Sequence, residues 1–297
     1  MNTHWLRQSS CLALLLLLLL LLSISFSLQS CSHKPAPLEE EGDPPMTVME
    51  MKAPEEDKTE KWKVAITPQS TVDVGKTVAL KLKVEQVESG GQSASPAKNI
   101  KFAQSHILVI CKDGNEFQNL KPAESGPTEF ATAVVFPHPG QYVVALQFVT
   151  SPHKNHTVSV PFQVGKGSTG IARRKPDADQ PKTVDGYEFT LSSYPFKTGV
   201  VAMPTFRITA DKRPVSNIEV LNPALPNDAG YAVLISDDSN NFVSSVPVTV
   251  MAANKLFQQP VMFHTIVEKP GNYKIWAQFK IDGKITTVNF SFKVDPK

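Results

Sequence analysis

One stretch of this chain occurs twice, and it limits the possible folds more than any other feature. Pro139-Gly140-Gln141-Tyr142-Val143-Val144-Ala145-Leu146-Gln147-Phe148 returns as Pro270-Gly271-Asn272-Tyr273-Lys274-Ile275-Trp276-Ala277-Gln278-Phe279. Both copies read P-G-x-Y-x-φ-x-φ-x-F, where φ is apolar. Tyr, two apolar residues and Phe fall at alternate positions, the period of a strand with one buried face, and Pro-Gly is the turn that enters it. A chain that repeats a strand together with its turn has repeated the unit around them.

The flanking segments carry the same message. Val78 to Val84 alternates as a strand, and Ile107 to Cys111 is a short apolar run expected to be covered on both faces. Phe130 to Phe136, Tyr142 to Phe148 and Val158 to Val164 complete a first set. In the second half, Tyr187 to Leu191, Thr205 to Thr209, Ala232 to Ser236 and Val261 to Val267 precede the second Pro-Gly. The last hairpin is the plainest: Tyr273 to Ile281 and Val288 to Val294 flank Asp282-Gly283, a type I′ turn signal. Proline (24) outnumbers glycine (15), which fits proline-marked turns between strands. The expectation is all-β: two tandem immunoglobulin-like β-sandwiches, at 62–165 and 186–297, joined by a linker at 166–185. The paired cysteines of antibody domains are absent.

The N-terminus is a targeting segment. Leu12 to Leu22 is an apolar run, all leucine apart from Ala13, and Leu28-Gln29-Ser30-Cys31 closes it, a pattern that resembles a bacterial lipobox. The resemblance implies a lipoprotein signal peptide at 1–30 and a lipid on Cys31, the first mature residue. A plain secretory signal and an uncleaved anchor helix are the alternatives. Ser32 is not the aspartate that resembles an inner-membrane retention signal, so the outer membrane is expected where there is one. Residues 31–61, rich in proline and acid, read as a disordered tether. Cys111 is then the one cysteine within a folded domain, and it is expected to be a small buried hydrophobe. A formal net charge of +2 gives no basic field for nucleic acid.

His106-Ile107-Leu108-Val109-Ile110-Cys111-Lys112-Asp113 leads through Phe117 to Pro122, and Tyr231-Ala232-Val233-Leu234-Ile235-Ser236-Asp237-Asp238 leads through Phe242 to Pro247. With the repeated P-G-x-Y stretch, these resemble a group of bacterial exported immunoglobulin-like proteins that carry G-H-φ-φ-φ-φ-x-x-D, F-x-H-x-H-P and P-G-x-Y. The resemblance implies a transition-metal site, copper in particular, because imidazoles that alternate on a strand point to one side. This chain departs where the ligands would be. Asn119 and Lys121 stand at the paired-histidine positions of the first copy, Ser244 and Val246 in the second, and Tyr231 replaces the second leading histidine. His106 alone remains as a metal candidate. Of the other histidines, His138 sits in a Pro-His-Pro turn, His153 and His156 are expected to be exposed loop residues, and His264 falls in a strand.

No nucleophile elbow, phosphate loop, H-E-x-x-H or paired-Cys motif is present. Asp237 to Asn241 lacks the glycine and glutamate of an EF-hand and reads as a polar turn. Trp276 lies on the strand face opposite Tyr273 and Phe279, where the first copy has Ala145. It is expected to cover a sheet edge, or else to mark a contact with the other domain or with a partner. The reading is a non-enzymatic binding or adaptor lipoprotein of the bacterial cell envelope, with no cofactor. Its partners would be the membrane, through Cys31, and an envelope protein or small ligand. A periplasmic copper-binding protein is the alternative.

Overall fold

The structure is a computed structural model that describes residues 61–87, 100–150, 154–167, 175–192, 196–223, 228–248, 256 and 259–297. The signal peptide, Cys31, almost all of the tether and His153 lie outside the described residues. Residues 51–297 form one compact unit. Among the described residues there is no α-helix, and strands are joined by turns and one 3₁₀ turn at Phe102–Gln104.

Among the described residues the first sandwich has eight strands: β1 (Lys61–Pro68), β2 (Thr77–Val87), β3 (His106–Cys111), β4 (Phe117–Leu120), β5 (Ala123–Gly126), β6 (Glu129–Val135), β7 (Gly140–Thr150) and β8 (Lys154–Val164). They form two four-stranded sheets, β1-β2-β6-β5 and β4-β3-β7-β8, antiparallel throughout. Named by the immunoglobulin convention, that is A-B-E-D against C′-C-F-G. Leu80, Leu82 and Phe130 on one sheet meet Ile107, Tyr142 and Phe148 on the other, all buried. The outward faces of β2 and β6 are solvated, with ion pairs Lys81–Glu129 and Lys83–Glu85.

The second sandwich continues with β9 (Lys182–Val184), β10 (Tyr187–Ser192), β11 (Phe196–Lys197), β12 (Val201–Ala202), β13 (Thr205–Ala210), β14 (Arg213–Pro214) and β15 (Ile218–Glu219). It ends with β16 (Tyr231–Ser236), β17 (Phe242–Pro247), β18 (Val261–Ile266), β19 (Gly271–Ile281) and β20 (Lys284–Asp295). One layer is β17-β16-β19-β20 and the other β18-β13-β10-β9. Strand β17 belongs to both, pairing β16 through Phe242–Ser245 and β18 through Val246 and Pro247. Phe206, Phe263, Phe279 and Phe290 cluster in its core.

The repeated motif has a physical function in both copies. The Tyr142 hydroxyl lies 3.0 Å from the His138 carbonyl, and the Tyr273 hydroxyl donates to the Lys269 carbonyl at 3.1 Å. Each is a tyrosine corner that ties the start of the F strand to the loop before it. Gly140 (φ 147°) and Gly271 (φ 142°) adopt backbone conformations that side chains disfavour, which explains glycine in both motifs.

Two sequence expectations need correction. Strand β9 lies inside the stretch read as linker, because Asp185 (φ 53°) and Gly186 (φ 84°) make a turn that pairs Tyr187 with Val184. The Asp-Gly signal was present there, as it is at Asp282-Gly283. His156, expected to be exposed, is 3% exposed in β8, with its ring against Phe148 and Trp62 and Nε2 2.9 Å from Thr150 Oγ1.

Candidate functional site at the junction of the sandwiches

Strands β3, β7, β16 and β19 have both faces buried, more than their alternation requires. Residues 107, 109 and 111 of β3 point into their own sandwich, and Leu108 and Ile110 point out of it. The outward residues form a third apolar cluster: Leu108, Ile110, Val143 and Ala145 from the first sandwich, and Val233, Ile235, Phe242 and Trp276 from the second. The C′-C-F-G sheet of one copy therefore packs on that of the other.

The contacts obey an approximate two-fold relation. Tyr231 corresponds to His106, and these two rings stack on each other, centroids 4.5 Å apart at 29°. Asn119 Nδ2 donates to Gln278 Oε1 at 2.9 Å, and Gln147 Nε2 donates to Ser244 Oγ at 2.9 Å, which joins the same two positions with the copies exchanged and the donor reversed. Each glutamine also reaches the threonine across its hairpin, Gln278 to Thr287 at 3.0 Å and Gln147 to Thr157 at 3.4 Å. The Tyr231 hydroxyl donates to Gln147 Oε1. Self-complementary pairing of this type is what a two-fold interface demands.

Trp276 breaks the symmetry. Its indole stacks on Phe117, centroids 5.0 Å apart at 13°, while the corresponding place opposite Phe242 holds Ala145. Lys274, also buried, donates from Nζ to the Gly114 carbonyl at 2.9 Å, and its ammonium lies 5.0 Å from the indole centre. Trp276 is 6% exposed. The surface suggested for a partner is thus covered by the chain's own first sandwich, and the alternative of a domain contact describes it.

His106 is partly buried beside Tyr231, its Nδ1 2.9 Å from Asn119 Oδ1. Because the Asn119 amide nitrogen already donates to Gln278, its oxygen is the acceptor, and His106 carries its proton on Nδ1. Burial holds this imidazole down to about 4, partly offset by the Asn119 bond and reinforced by the nearby Lys121 charge. It is neutral at physiological pH. Of the six positions at which the resembled group has histidines, four, 106, 119, 231 and 244, converge at the junction. Only His106 is an imidazole, and among the described residues no three His, Cys, Asp or Glu side chains gather as a metal would require.

A second corner of the junction holds a buried carboxylate. Asp228 (7% exposed) precedes β16, and Lys121 of β4's end and Asn222 both donate to the Ala103 carbonyl, at 2.8 and 3.1 Å. Burial pushes Asp228 up to about 6, against the backbone N–H of Gly230, the Lys121 charge and the backbone N–H of Asn222. Gly230 is fixed by space, since a Cβ there would lie 2.7 Å from the Gln278 carbonyl oxygen.

Cys111 is buried in the first core, where burial raises its thiol to about 11. That is the behaviour of a packing residue. Asp238 accepts from the backbone N–H and side-chain amide of Asn240, a turn-forming role. On the Trp276 side, the seam opens as a groove of about 390 Å³ between the β4 edge and the β19–β20 hairpin.

A family model described as a domain of unknown function, DUF8832, matches residues 182–296, from the start of β9 to nearly the end of the second sandwich. No curated protein matches the chain. Among solved structures, similarity extends to a DUF4426 family protein from Pseudomonas aeruginosa PAO1. It has 6% identity and a TM-score of 0.30, over 40% of this chain and 98% of that one. The fibronectin(III)-like modules of Clostridium thermocellum CbhA are 11% identical with a TM-score of 0.22, over 78% and 94% of the two chains. A marsupial T cell receptor is 12% identical with a TM-score of 0.23, over 78% and 64%.

Proposed function

We propose that this chain is a non-enzymatic binding or adaptor module of the bacterial cell envelope, held to the membrane by a lipid on Cys31. The observation that supports it best is the junction. Two immunoglobulin-like sandwiches bury their C′-C-F-G faces against each other through an apolar cluster and cross-copy hydrogen bonds, so they present one composite surface. The titratable groups buried there are engaged by the scaffold: His106 bonds Asn119, Lys274 bonds the Gly114 carbonyl, and Asp228 faces Lys121 and the backbone N–H groups of Gly230 and Asn222. The lipobox pattern at Leu28 to Cys31 supports the anchor, and the acidic proline-rich tether supports a spacer from the membrane.

Cys31→Ser tests the anchor: the variant should move from the membrane to the soluble fraction, and equal membrane retention would refute it. Cross-linking the wild type in intact cells, followed by mass spectrometry, tests the adaptor reading, which predicts reproducible envelope partners. The copper alternative predicts stoichiometric copper binding that His106→Ala abolishes, and such a result would displace the adaptor reading.

A further inference from the structure

Resting on the binding-module reading, we infer that the groove beside the Phe117–Trp276 stack is a site for a neutral oligosaccharide. The groove exists only because the sandwiches meet. Asn115, Glu116, Phe117 and Gln118 come from the first copy, and Trp276 and Thr287 from the second. Its volume of about 390 Å³ falls at the lower end of small-ligand sites.

The lining has two chemical parts. The first is aromatic: Trp276 backs Phe117 and is itself almost fully covered, so the phenyl ring is the surface that a ligand meets. A ring held on one side by a stacked indole is rigid, and an aromatic face is complementary to the C–H face of a pyranose. Val135 and Pro137 extend this apolar wall.

The second part is a rim of fixed hydrogen-bonding groups. Glu116 Oε2 lies 2.9 Å from the Tyr142 hydroxyl and Oε1 3.1 Å from His138 Nε2, which orients the carboxylate. Gln118 is held by donation to the Val135 carbonyl at 2.7 Å, which leaves its own oxygen to accept. Thr287 accepts from Gln278, so its O–H remains a donor. Amide, hydroxyl and carboxylate groups around an apolar wall match a molecule with one C–H face and hydroxyls at its edge.

Charge narrows the class. Among the described residues that line the groove there is no lysine or arginine and Glu116 is the one ionisable side chain, while the nearby Lys274 is buried behind Trp276 on the Gly114 carbonyl, so phosphate, sulfate and uronate ligands meet the Glu116 charge without a cation in the lining. A lipid acyl chain would bury the rim without pairing it. The neutral sugar satisfies both parts.

The test uses the full-length protein in a detergent without a sugar headgroup. Cellotetraose, chitotetraose and xylotetraose are titrated by calorimetry and tryptophan fluorescence, with tetragalacturonate as the anionic comparison and an unstructured neutral peptide as the polypeptide one. Saturable binding of at least one neutral tetrasaccharide is expected. Phe117→Leu, which keeps bulk but removes the ring, and Thr287→Val should each weaken it by about tenfold, the effect of one lost contact of about 1.4 kcal/mol. Val246→Ser, on an outer face away from the groove lining, should leave it unchanged, and thermal melts verify that every variant folds. Absence of binding by all three sugars to folded protein overturns the inference. So does binding that survives both groove variants, or a clear preference for the anion or the peptide. If no sugar binds while the cross-linked envelope partners are still captured, the adaptor function stands and only the sugar site falls.

Discussion

Replacing His106 by glutamine, or Asp228 by asparagine, should uncover two pH dependences that nearly cancel in the wild type. Asp228 is raised from 3.8 to about 6 in the folded chain, so the stability it contributes is full below 3.8 and lost as pH rises through 6. His106 is lowered from 6.5 to about 4, so its contribution is present above 6.5 and lost as pH falls through 4. At about 1.4 kcal/mol for each pH unit of displacement, each amounts to roughly 3 kcal/mol between pH 7 and 4, with His106 nearer 2 because it is partly solvated. Lys121 faces both groups, favouring ionised Asp228 and neutral His106, and Tyr231 lies against the imidazole without titrating in this range. Urea unfolding followed by tryptophan fluorescence at pH 7, 6, 5 and 4 gives the free energies. Subtracting the wild-type curve removes every titration the proteins share. On that difference scale, His106→Gln should gain about 2 kcal/mol on acidification, and Asp228→Asn should lose about 3. If either difference curve is flat within about 0.5 kcal/mol, burial is not the dominant influence on that group and the reasoning fails.

Three further outcomes follow from the packing. Trp276→Ala should cost about 3–5 kcal/mol in urea unfolding, the usual loss for a buried aromatic, because it empties the space against Phe117 and Lys274. Gly230→Ala should lower stability by about 1–3 kcal/mol or prevent folding, since its methyl meets backbone oxygen at 2.7 Å; unchanged thermal melting would contradict the geometry. Tyr273→Phe removes the hydroxyl bonded to Lys269 and should cost about 1 kcal/mol, measured as a shifted urea midpoint at constant slope.

Much of the fold was legible because strands announce themselves locally. Alternation at Tyr142 to Phe148 and Tyr273 to Phe279 gave the core faces, and Asp282-Gly283 gave the hairpin, all from neighbours in the chain. Asp185-Gly186 carried the same turn signal, and its surroundings of lysine, proline and aspartate obscured it. His156 was misjudged for a similar reason, since local polarity says nothing about Phe148 and Trp62 arriving from other strands.

What the amino-acid order determined by itself is the unit: a strand set with a Pro-Gly turn leading into a P-G-x-Y strand, present twice, with Leu108, Ile110, Val233 and Ile235 already too apolar for an outward face. What only the tertiary structure decided is that these surplus faces cover each other. Periodicity encodes that a face is buried and not what buries it, because the partner lies more than a hundred residues away and no local conformational preference refers to it. From the sequence Trp276 was therefore open to three roles, cover for a sheet edge, domain contact or partner contact, and the fold made it the wedge between two copies, with the groove beside it as the consequence.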